Sequence, residues 1–447
     1  MYLRMLVCIH TWAGEPVLRM MFTVVVISSF VGCVLYFWTV QPGILGKDYL
    51  FQKYCGNDSH TNNINIISDE RRLMATSMLA DLSKYPPSDV AKAQRWPKVE
   101  LHLHLDGSLS PSFIARRAAV RGIVLPAPPE RLRPWLMERK LDKLRKDENK
   151  ADKGGNWPVF DFCNQFLQTE LELREGVADL LFRLWEDGVV YAEIRFCPDL
   201  HTNEGLSEEQ VIEAAIQGFR SQNKVKGGLV LVALRSKDAA HGVNTARLAA
   251  KYIQKTKSDL PGVVGMDVAG DEGSYPLASD KDAMAEGVKE ALKLEIPLTL
   301  HAGEWPEKFG SLANLRWAVV SGARRVGHSI ALRSDPDLSL VMKKHNITVE
   351  ACLTSNIGNG FKVANYREHP VKIMQELGVA FSLSSDNLLL SGDHLHAPSP
   401  TAEVLHLVHD VGLGWEAAKL SIINGLKSAF SPTVDQEFIE KTLLQFN

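Results

Sequence analysis

Eight short apolar runs, rich in β-branched residues, recur between residues 98 and 384, and helical periodicity separates most of them. Strands that alternate with helices along a chain pair in parallel through crossover connections. The pattern therefore predicts an α/β fold, a (β/α)8 TIM-type barrel. The predicted strands are residues 98–104, 189–196, 228–234, 263–268, 296–301, 325–328, 347–351 and 379–384. Three of the predicted helices are residues 207–222, 280–294 and 370–377.

The first crossover of this barrel is much longer than the others. Residues 130–153 carry charges of both signs, as a solvated helix does, and residues 157–166 are rich in aromatic side chains. We predict a helical insertion after the first strand, whose aromatic part either covers the barrel mouth as a lid or packs into the core. The predicted organisation is an N-terminal extension (1–41), a linker (42–94) and a catalytic barrel (95–447).

The N-terminal extension contains a candidate membrane anchor. Residues 22–40 hold no charged side chain and are just long enough to cross a bilayer. Arg4 and Arg19 precede the run, which favours an N-terminus in the cytoplasm and a catalytic barrel on the other side of the membrane. The N-glycosylation sequons at Asn57 and Asn346 would fit that placement of the barrel. Six scattered cysteines without a CxxC pair favour a reducing compartment instead. We favour a cytoplasmic catalytic domain and keep single-pass anchoring as the alternative.

Composition excludes some classes of partner. Of the 447 residues, 45% are hydrophobic and 23% are charged, which is typical of an ordinary globular protein. The formal net charge of −3 leaves no basic surface of the kind that binds nucleic acid. The composition therefore directs attention to a small-molecule site. It leaves the oligomeric state open.

Two histidines end the first predicted strand. Side chains alternate between the faces of a strand, so His102 and His104 point the same way, two rises of about 3.3 Å apart. This spacing allows both imidazoles to bind one metal ion. Taken alone, the pair also fits two ordinary histidines of a buried strand.

Further reactive residues end other predicted strands. His301 with Glu304, His328, and Asp386 follow the fifth, sixth and eighth strands. Catalytic residues of barrel enzymes lie at the carboxyl ends of the strands, so these side chains are expected to meet. Histidine nitrogens and a carboxylate suit zinc, which lowers the pKa of water from 15.7 to about 7. These residues predict a mononuclear zinc hydrolase in which Glu304 is a general acid or base. His328 could orient or deprotonate the water, or stabilise a developing negative oxygen.

Six motifs, in order along residues 96–432, resemble the adenosine deaminase family of metal-dependent hydrolases. The motifs are VELHLHLDG (99–107), DVAGDE (267–272), HAGE (301–304), RVGH (325–328), TSN (354–356) and SLSSDN (382–387).

This resemblance implies one Zn²⁺ per chain, with a role for each matching residue. The implied metal ligands are His102, His104, His301 and Asp386. Glu304 would protonate N1 of the purine while hydroxide attacks C6, and His328 would steady that hydroxide as ammonia leaves. Gly270 would offer its backbone N–H to a purine nitrogen.

The chain also departs from the family pattern. Asn387 stands where many members carry a second aspartate, and its amide could still donate to purine N7. Ser329 replaces a common glycine and could crowd the metal pocket. Asp106 matches the aspartate that, in nucleoside-specific members, accepts a hydrogen bond from the ribose 5′-hydroxyl. A carboxylate at that position would repel a 5′-phosphate.

The resemblance therefore implies zinc-dependent hydrolytic deamination of adenosine and 2′-deoxyadenosine to inosine products and ammonia, in purine salvage or catabolism. The expected partner is a small-molecule purine nucleoside. An N6-substituted AMP deaminase or an adenine deaminase of the same family is the enzymatic alternative. A non-catalytic nucleoside-binding or receptor-interacting membrane protein is the alternative of another class, and Glu304→Gln discriminates it from an enzyme.

Overall fold

The computed structural model describes seven parts of the chain, which divide into two compact units with their boundary after Ile64. The described parts are residues 6–11, 20–25, 82–146, 157–255, 261–358, 363–393 and 397–446. In the first unit, strands β1 (Leu6–Thr11) and β2 (Met20–Val25) pair antiparallel. Residues 22–25 of the predicted membrane anchor thus lie in a strand, and residues 26–40 lie outside the described parts. No helix in the described parts is long and apolar enough to cross a membrane.

The second unit contains the eight parallel strands that the sequence predicted. Their bounds are β3 (Lys98–His104), β4 (Val189–Phe196), β5 (Lys226–Leu234), β6 (Val263–Ala269), β7 (Leu298–Ala302), β8 (Arg325–His328), β9 (Thr348–Ala351) and β10 (Phe381–Leu383). Each strand pairs with its neighbour in sequence from β3 to β10. The predicted (β/α)8 barrel is confirmed.

The barrel is closed by residues that follow its last strand. A parallel bridge joins Leu103 to Asp386. The Asp386 N–H donates to the His102 carbonyl at 2.9 Å, and the His104 N–H donates to the Asp386 carbonyl at 2.8 Å. The eighth strand is shorter than predicted at both ends. The Ser384 N–H still donates to the Ala351 carbonyl of β9 at 2.9 Å, and Asp386 then forms the seam with β3. Closure therefore brings three of the predicted metal ligands together.

Helices follow the strands and cover the barrel. Apolar residues dominate the strand positions, which are buried on both faces as parallel sheets require. The α-helices span Pro87–Arg95, Pro111–Arg121, Pro129–Lys146, Trp157–Asn164, Glu170–Glu186, Glu208–Arg220, Ala239–Lys255, Ala285–Lys293, Ser311–Val320, Leu338–Lys344, Leu353–Gly358, Val371–Leu377, Pro400–Leu405, Gly414–Ser428 and Gln436–Leu443. Four of them lie between β3 and β4, so the predicted helical insertion after the first barrel strand is confirmed.

The part of the predicted linker nearest the barrel is packed rather than extended. Tyr85 and Ala93 are buried, and the helix Pro87–Arg95 contacts the helix Pro400–Leu405. The hydroxyl of Tyr85 donates to the Asp410 carboxylate at 2.5 Å. Packing onto the barrel therefore begins before residue 95, the predicted start of the catalytic domain.

Candidate active site

A cavity of about 290 Å³ opens at the carboxyl ends of the barrel strands. His104, His301 and Asp386 line it, together with apolar side chains from β4 and β5 and the loops after them. Phe160 and Asn164 also line it, from the insertion helix Trp157–Asn164. The aromatic part of the insertion thus contributes Phe160 to a wall of the cavity, whereas Phe166 packs into the core, and a lid function stays a prediction.

The four predicted metal ligands converge in this cavity. Nε2 of His104 lies 3.2 Å from Nε2 of His301, and both His102 Nε2 and His104 Nε2 lie 3.5 Å from Asp386 Oδ1. Tetrahedral zinc with bonds of about 2.0–2.1 Å separates its ligand atoms by roughly 3.4 Å. Within the described residues, the buried Nε2 of His102 has no hydrogen-bond partner. The donor set and spacing therefore fit one zinc-sized divalent ion.

Two buried carboxylates orient the histidines from behind. His102 Nδ1 lies 2.8 Å from Glu350 Oε2, and His301 Nδ1 lies 2.9 Å from Asp267 Oδ2. Arg195 donates to both carboxylates, at 2.8 Å and 2.7 Å. A carboxylate behind a ligating histidine fixes its ring orientation and leaves the other nitrogen for the metal. Carboxylates thus lie behind the His102 and His301 rings, as they do behind the ligating histidines of metalloenzymes.

The charge of Glu350 is compensated inside the barrel. Its second oxygen accepts from Arg325 Nε at 2.7 Å and from Thr299 Oγ1 at 2.9 Å. Although burial raises the pKa of this carboxyl, the guanidinium groups of Arg195 and Arg325 hold it well below its usual range. Glu350 is therefore an anion that connects the His102 ring to β4, β7 and β8.

Hydrogen bonds hold the Asp386 carboxylate from several sides. Ser355 Oγ donates to Oδ2 at 2.5 Å, Ser391 Oγ donates to Oδ2 at 3.2 Å, and Asn387 Nδ2 donates to Oδ1 at 2.7 Å. Asp386 itself has a left-handed backbone, with φ at 63°. Such backbone strain at a strand end persists only where the surroundings impose it, and it is common at functional sites.

Glu304 and His328 lie beside the ligands. Both line the cavity, with Glu304 Oε1 3.6 Å from His328 Nε2. The loop that carries Glu304 is clamped by Glu272, which accepts from the backbone N–H groups of Gly303 at 2.9 Å and Trp305 at 2.6 Å. Burial lowers the pKa of His328 to about 3, so its ring is neutral near pH 7. The arrangement places one carboxyl group and one neutral imidazole next to the metal ligands.

The predicted substrate contacts lie in the same cavity. Asp106, Gly270 and Asn387 line it, and burial raises the pKa of Asp106 to about 6. Gly270 has φ at 117°, a conformation that favours glycine. The Asn387 amide nitrogen is directed to Asp386 and, at 3.3 Å, to Ser391, and not into the cavity as a free donor. The geometry does not show the donor to purine N7 that we predicted for Asn387.

We expected that Ser329 could crowd the metal pocket, but the structure shows no such crowding. Its side chain is fully buried and is not among those that line the cavity. Its backbone is left-handed, with φ at 53°, directly after His328 with φ at 65°. Within the described residues, its hydroxyl has no hydrogen-bond partner. The serine at this position therefore has a strained backbone and does not line the cavity.

Our sequence reasoning missed several residues that support the site. Glu350 and Arg195 lie inside strands that we predicted to be apolar, and Asp267 belongs to a motif to which we gave no outer role. Asn356, which donates to His328 Nδ1 at 3.0 Å, was noted only as part of the TSN motif. The available signal was a charged residue at the centre of a buried strand, since such a charge is almost always paired.

Comparisons with known proteins identify the family of this barrel. The sequence model of the adenosine deaminase family matches residues 97–444. Adenosine deaminase from Enterococcus faecalis is 31% identical over 358 residues, which are 79% of this chain and 98% of that relative.

Two solved structures share the barrel. The N6-methyl-AMP deaminase of Arabidopsis thaliana has a TM-score of 0.62 and 22% identity, over 80% of this chain and 98% of its own. A zinc-bound amidohydrolase from Burkholderia ambifaria has a TM-score of 0.65 and 17% identity, over 83% and 95%. At these identities the two structures support the fold alone, whereas the family match spans the whole barrel. The chain belongs to the adenosine deaminase family.

Proposed function

We propose that this protein is a zinc-dependent aminohydrolase that converts adenosine and 2′-deoxyadenosine to inosine and 2′-deoxyinosine, with release of ammonia. The observation that carries the proposal is the convergence of His102, His104, His301 and Asp386 beside Glu304 in a cavity of a barrel that belongs to this family. Adenosine deaminases at 30–32% identity are among the relatives that match most of the chain. A neutral small-molecule substrate is also consistent with the formal net charge of −3.

His102, His104, His301 and Asp386 would hold the zinc ion. When bound, such an ion lowers the pKa of a water molecule and so makes a nucleophile available near neutral pH. Glu350 and Asp267 keep the His102 and His301 rings turned with Nε2 toward the site.

Glu304 is the proton donor to purine N1 in this proposal. Its loop is fixed by the Glu272 clamp, and its carboxyl group reaches the cavity. Protonation of N1 makes C6 more electrophilic, so that the oxygen of a water molecule adds to C6. One proton of that water returns to Glu304 and the other goes to the amino group, so that the bond from C6 to the amino nitrogen breaks and ammonia leaves. A positioned acid of this kind contributes typically 10²–10⁴-fold to the rate.

Asp106 selects a nucleoside over a nucleotide in this proposal. The carboxylate accepts a hydrogen bond from the ribose 5′-hydroxyl, whereas a 5′-phosphate would meet a like charge in a buried site. Although burial raises the pKa of Asp106 to about 6, the group is mostly ionised at pH 7 and above. The Gly270 backbone N–H remains the proposed donor to a purine nitrogen, and Asn387 acts through Asp386, to which its amide group donates.

Ammonia release from the purified full chain tests the proposal. Adenosine, 2′-deoxyadenosine, adenine, AMP and N6-methyl-AMP are compared side by side, and the metal content is measured. We expect turnover of the two nucleosides with about one zinc per chain. Turnover of a nucleotide or of adenine alone would replace the substrate assignment with one of the enzymatic alternatives.

Glu304→Gln separates catalysis from binding. The change keeps the side-chain size and removes the acid, so we expect turnover to fall about 10²–10⁴-fold while zinc content is retained. Glu307→Gln is the matched control because Glu307 is exposed, three residues further along the chain. Full activity of Glu304→Gln would show that the proton donor is wrongly assigned. A zinc-loaded wild-type chain without turnover of any of these purines would favour the binding protein.

A further inference from the structure

A line of hydrogen bonds runs from a backbone amide to the His328 ring. The Val371 N–H donates to His369 Nδ1 at 3.1 Å. His369 Nε2 lies 3.0 Å from Asn356 Oδ1, and Asn356 Nδ2 lies 3.0 Å from His328 Nδ1. All three side chains are almost fully buried. They come from three elements: the end of β8, the helix Leu353–Gly358, and the residues just before the helix Val371–Leu377.

The direction of every hydrogen bond in this line follows from its first member. A backbone N–H can only donate, so His369 Nδ1 is an acceptor and carries no hydrogen. An imidazole holds at least one hydrogen, so His369 Nε2 carries it and donates to the Asn356 oxygen. The Asn356 amide group then donates through Nδ2 to His328 Nδ1. The remaining nitrogen of His328, Nε2, must carry the hydrogen.

The reversed orientation of the Asn356 amide cannot satisfy these hydrogen bonds. If the Asn356 amide were reversed, its NH2 group would face His369 Nε2. Both nitrogens of His369 would then have to accept, which no imidazole with a ring hydrogen can do. The Val371 N–H therefore fixes the orientation of the Asn356 amide and, through it, the tautomer of His328. An imidazolium at His328 is excluded too, because its Nδ1 faces a donor.

We propose that Asn356 and His369 are positioning residues that lock His328 in the tautomer with hydrogen on Nε2. The catalytic consequence rests on the proposed function. In the locked state His328 Nε2 is a donor toward the cavity, where Glu304 Oε1 lies 3.6 Å away. His328 therefore stabilises an oxygen that gains negative charge, and it does not remove a proton from the attacking water. Of the roles that the sequence left open for His328, this geometry selects the donor.

Nitrogen NMR of the full chain labelled with 15N-histidine tests the tautomer directly. Protonated and unprotonated ring nitrogens have distinct chemical shifts, and His328→Gln identifies the signals of His328 by their loss. We expect a protonated Nε2 and an unprotonated Nδ1 in the wild-type protein near neutral pH, before and after zinc is added. A hydrogen on Nδ1 of His328 in the folded wild-type protein would overturn the proposal. Because this readout needs no turnover, it stays decisive even if adenosine is not the substrate.

Substitutions test the source of the lock. Asn356→Asp replaces the donor to His328 with an acceptor, so we expect Nδ1 of His328 to become protonated. We also expect kcat and kcat/KM for adenosine to fall together by about 10- to 100-fold. Asn365→Asp is the matched control, since Asn365 is exposed and bonds only locally to Glu368 in the described residues. A folded Asn356→Asp protein with the wild-type His328 spectrum would overturn the proposal.

His369 offers a rescue experiment. His369→Gln keeps an N–H donor for the Asn356 oxygen, whereas His369→Leu removes it. We expect His369→Gln to retain the wild-type His328 tautomer and a higher kcat than His369→Leu, with both variants first shown to be folded by circular dichroism. Equal His328 spectra in the two variants would contradict a role of His369 in setting the tautomer.

Discussion

Glu350→Gln is the substitution for which the structure predicts the largest combined effect. Glu350 is fully buried and accepts four hydrogen bonds, from His102, Arg195, Arg325 and Thr299, at 2.7–2.9 Å. A glutamine keeps the shape but turns one of the two oxygens into an NH2 group, which then faces donors. It also removes the negative charge that compensates two buried guanidinium groups. Breaking one partner of a buried ion pair costs about 3–5 kcal/mol, so we expect the free energy of unfolding to fall by about that amount.

The same change should weaken metal binding. Outer carboxylates behind ligating histidines contribute about 10- to 100-fold in metal affinity, so zinc should dissociate from Glu350→Gln that much more readily. Urea unfolding of the zinc-free protein measures the first effect, and competition with a chelator measures the second. Glu376→Gln, on the exposed side of the helix Val371–Leu377, is the control. A loss of less than about 1 kcal/mol with unchanged zinc affinity would refute the reasoning, because each of the two buried guanidinium groups loses one of its two carboxylate partners, Arg195 keeping Asp267 and Arg325 keeping Glu193.

Three further substitutions test single features. Ser329→Gly removes the strain of a left-handed non-glycine residue, which costs roughly 1–2 kcal/mol, but the greater backbone entropy of glycine in the unfolded chain offsets part of this. Urea unfolding should therefore show a free energy of unfolding that is higher by about 1 kcal/mol. A lower free energy of unfolding would contradict the strain argument. Asp106→Asn removes the charge that opposes a 5′-phosphate, and the ratio of AMP to adenosine turnover should rise about fivefold or more, for at least about 1 kcal/mol of repulsion; an unchanged ratio would place the ribose elsewhere. A Cβ on Gly107 would lie 1.7 Å from Asn387 Oδ1, so Gly107→Ala should weaken zinc binding. Adding Asn387→Ala to this variant should remove the part of the lost zinc affinity that the clash causes. If the double variant keeps the full loss of zinc affinity, the clash is not its cause.

The sequence was sufficient to predict the barrel and to place the proposed metal ligands at its strand ends, because both depend on local patterns. The predicted bounds of β3, β4 and β8 agree with the structure, and the other strands differ by one or two residues at an end. Histidines and carboxylates at the ends of those strands had to meet, because parallel strands of a barrel end on one face. The residues His301 and Asp386 could thus be placed without knowledge of any contact.

The supporting residues could not be placed in this way. Glu350 and His102 are separated by 248 residues, and their contact depends on which side chains of a closed barrel point inward. The role of His369 depends on a backbone amide two residues later, a detail of loop geometry that carries no periodic signal. In both cases the residue type was visible in the sequence, whereas its partner was not. Predicting the partners would have required the register between strands.

The seam of the barrel explains why fold and site are assembled together. Asp386 bonds through its backbone to His102 on one side and to His104 on the other, and its carboxylate lies 3.5 Å from both rings. The residues that close the barrel are therefore those that would bind the metal. A zinc ion held by His102, His104 and Asp386 would join the two edges of the seam, so metal binding should favour the closed barrel over any state in which the seam is open.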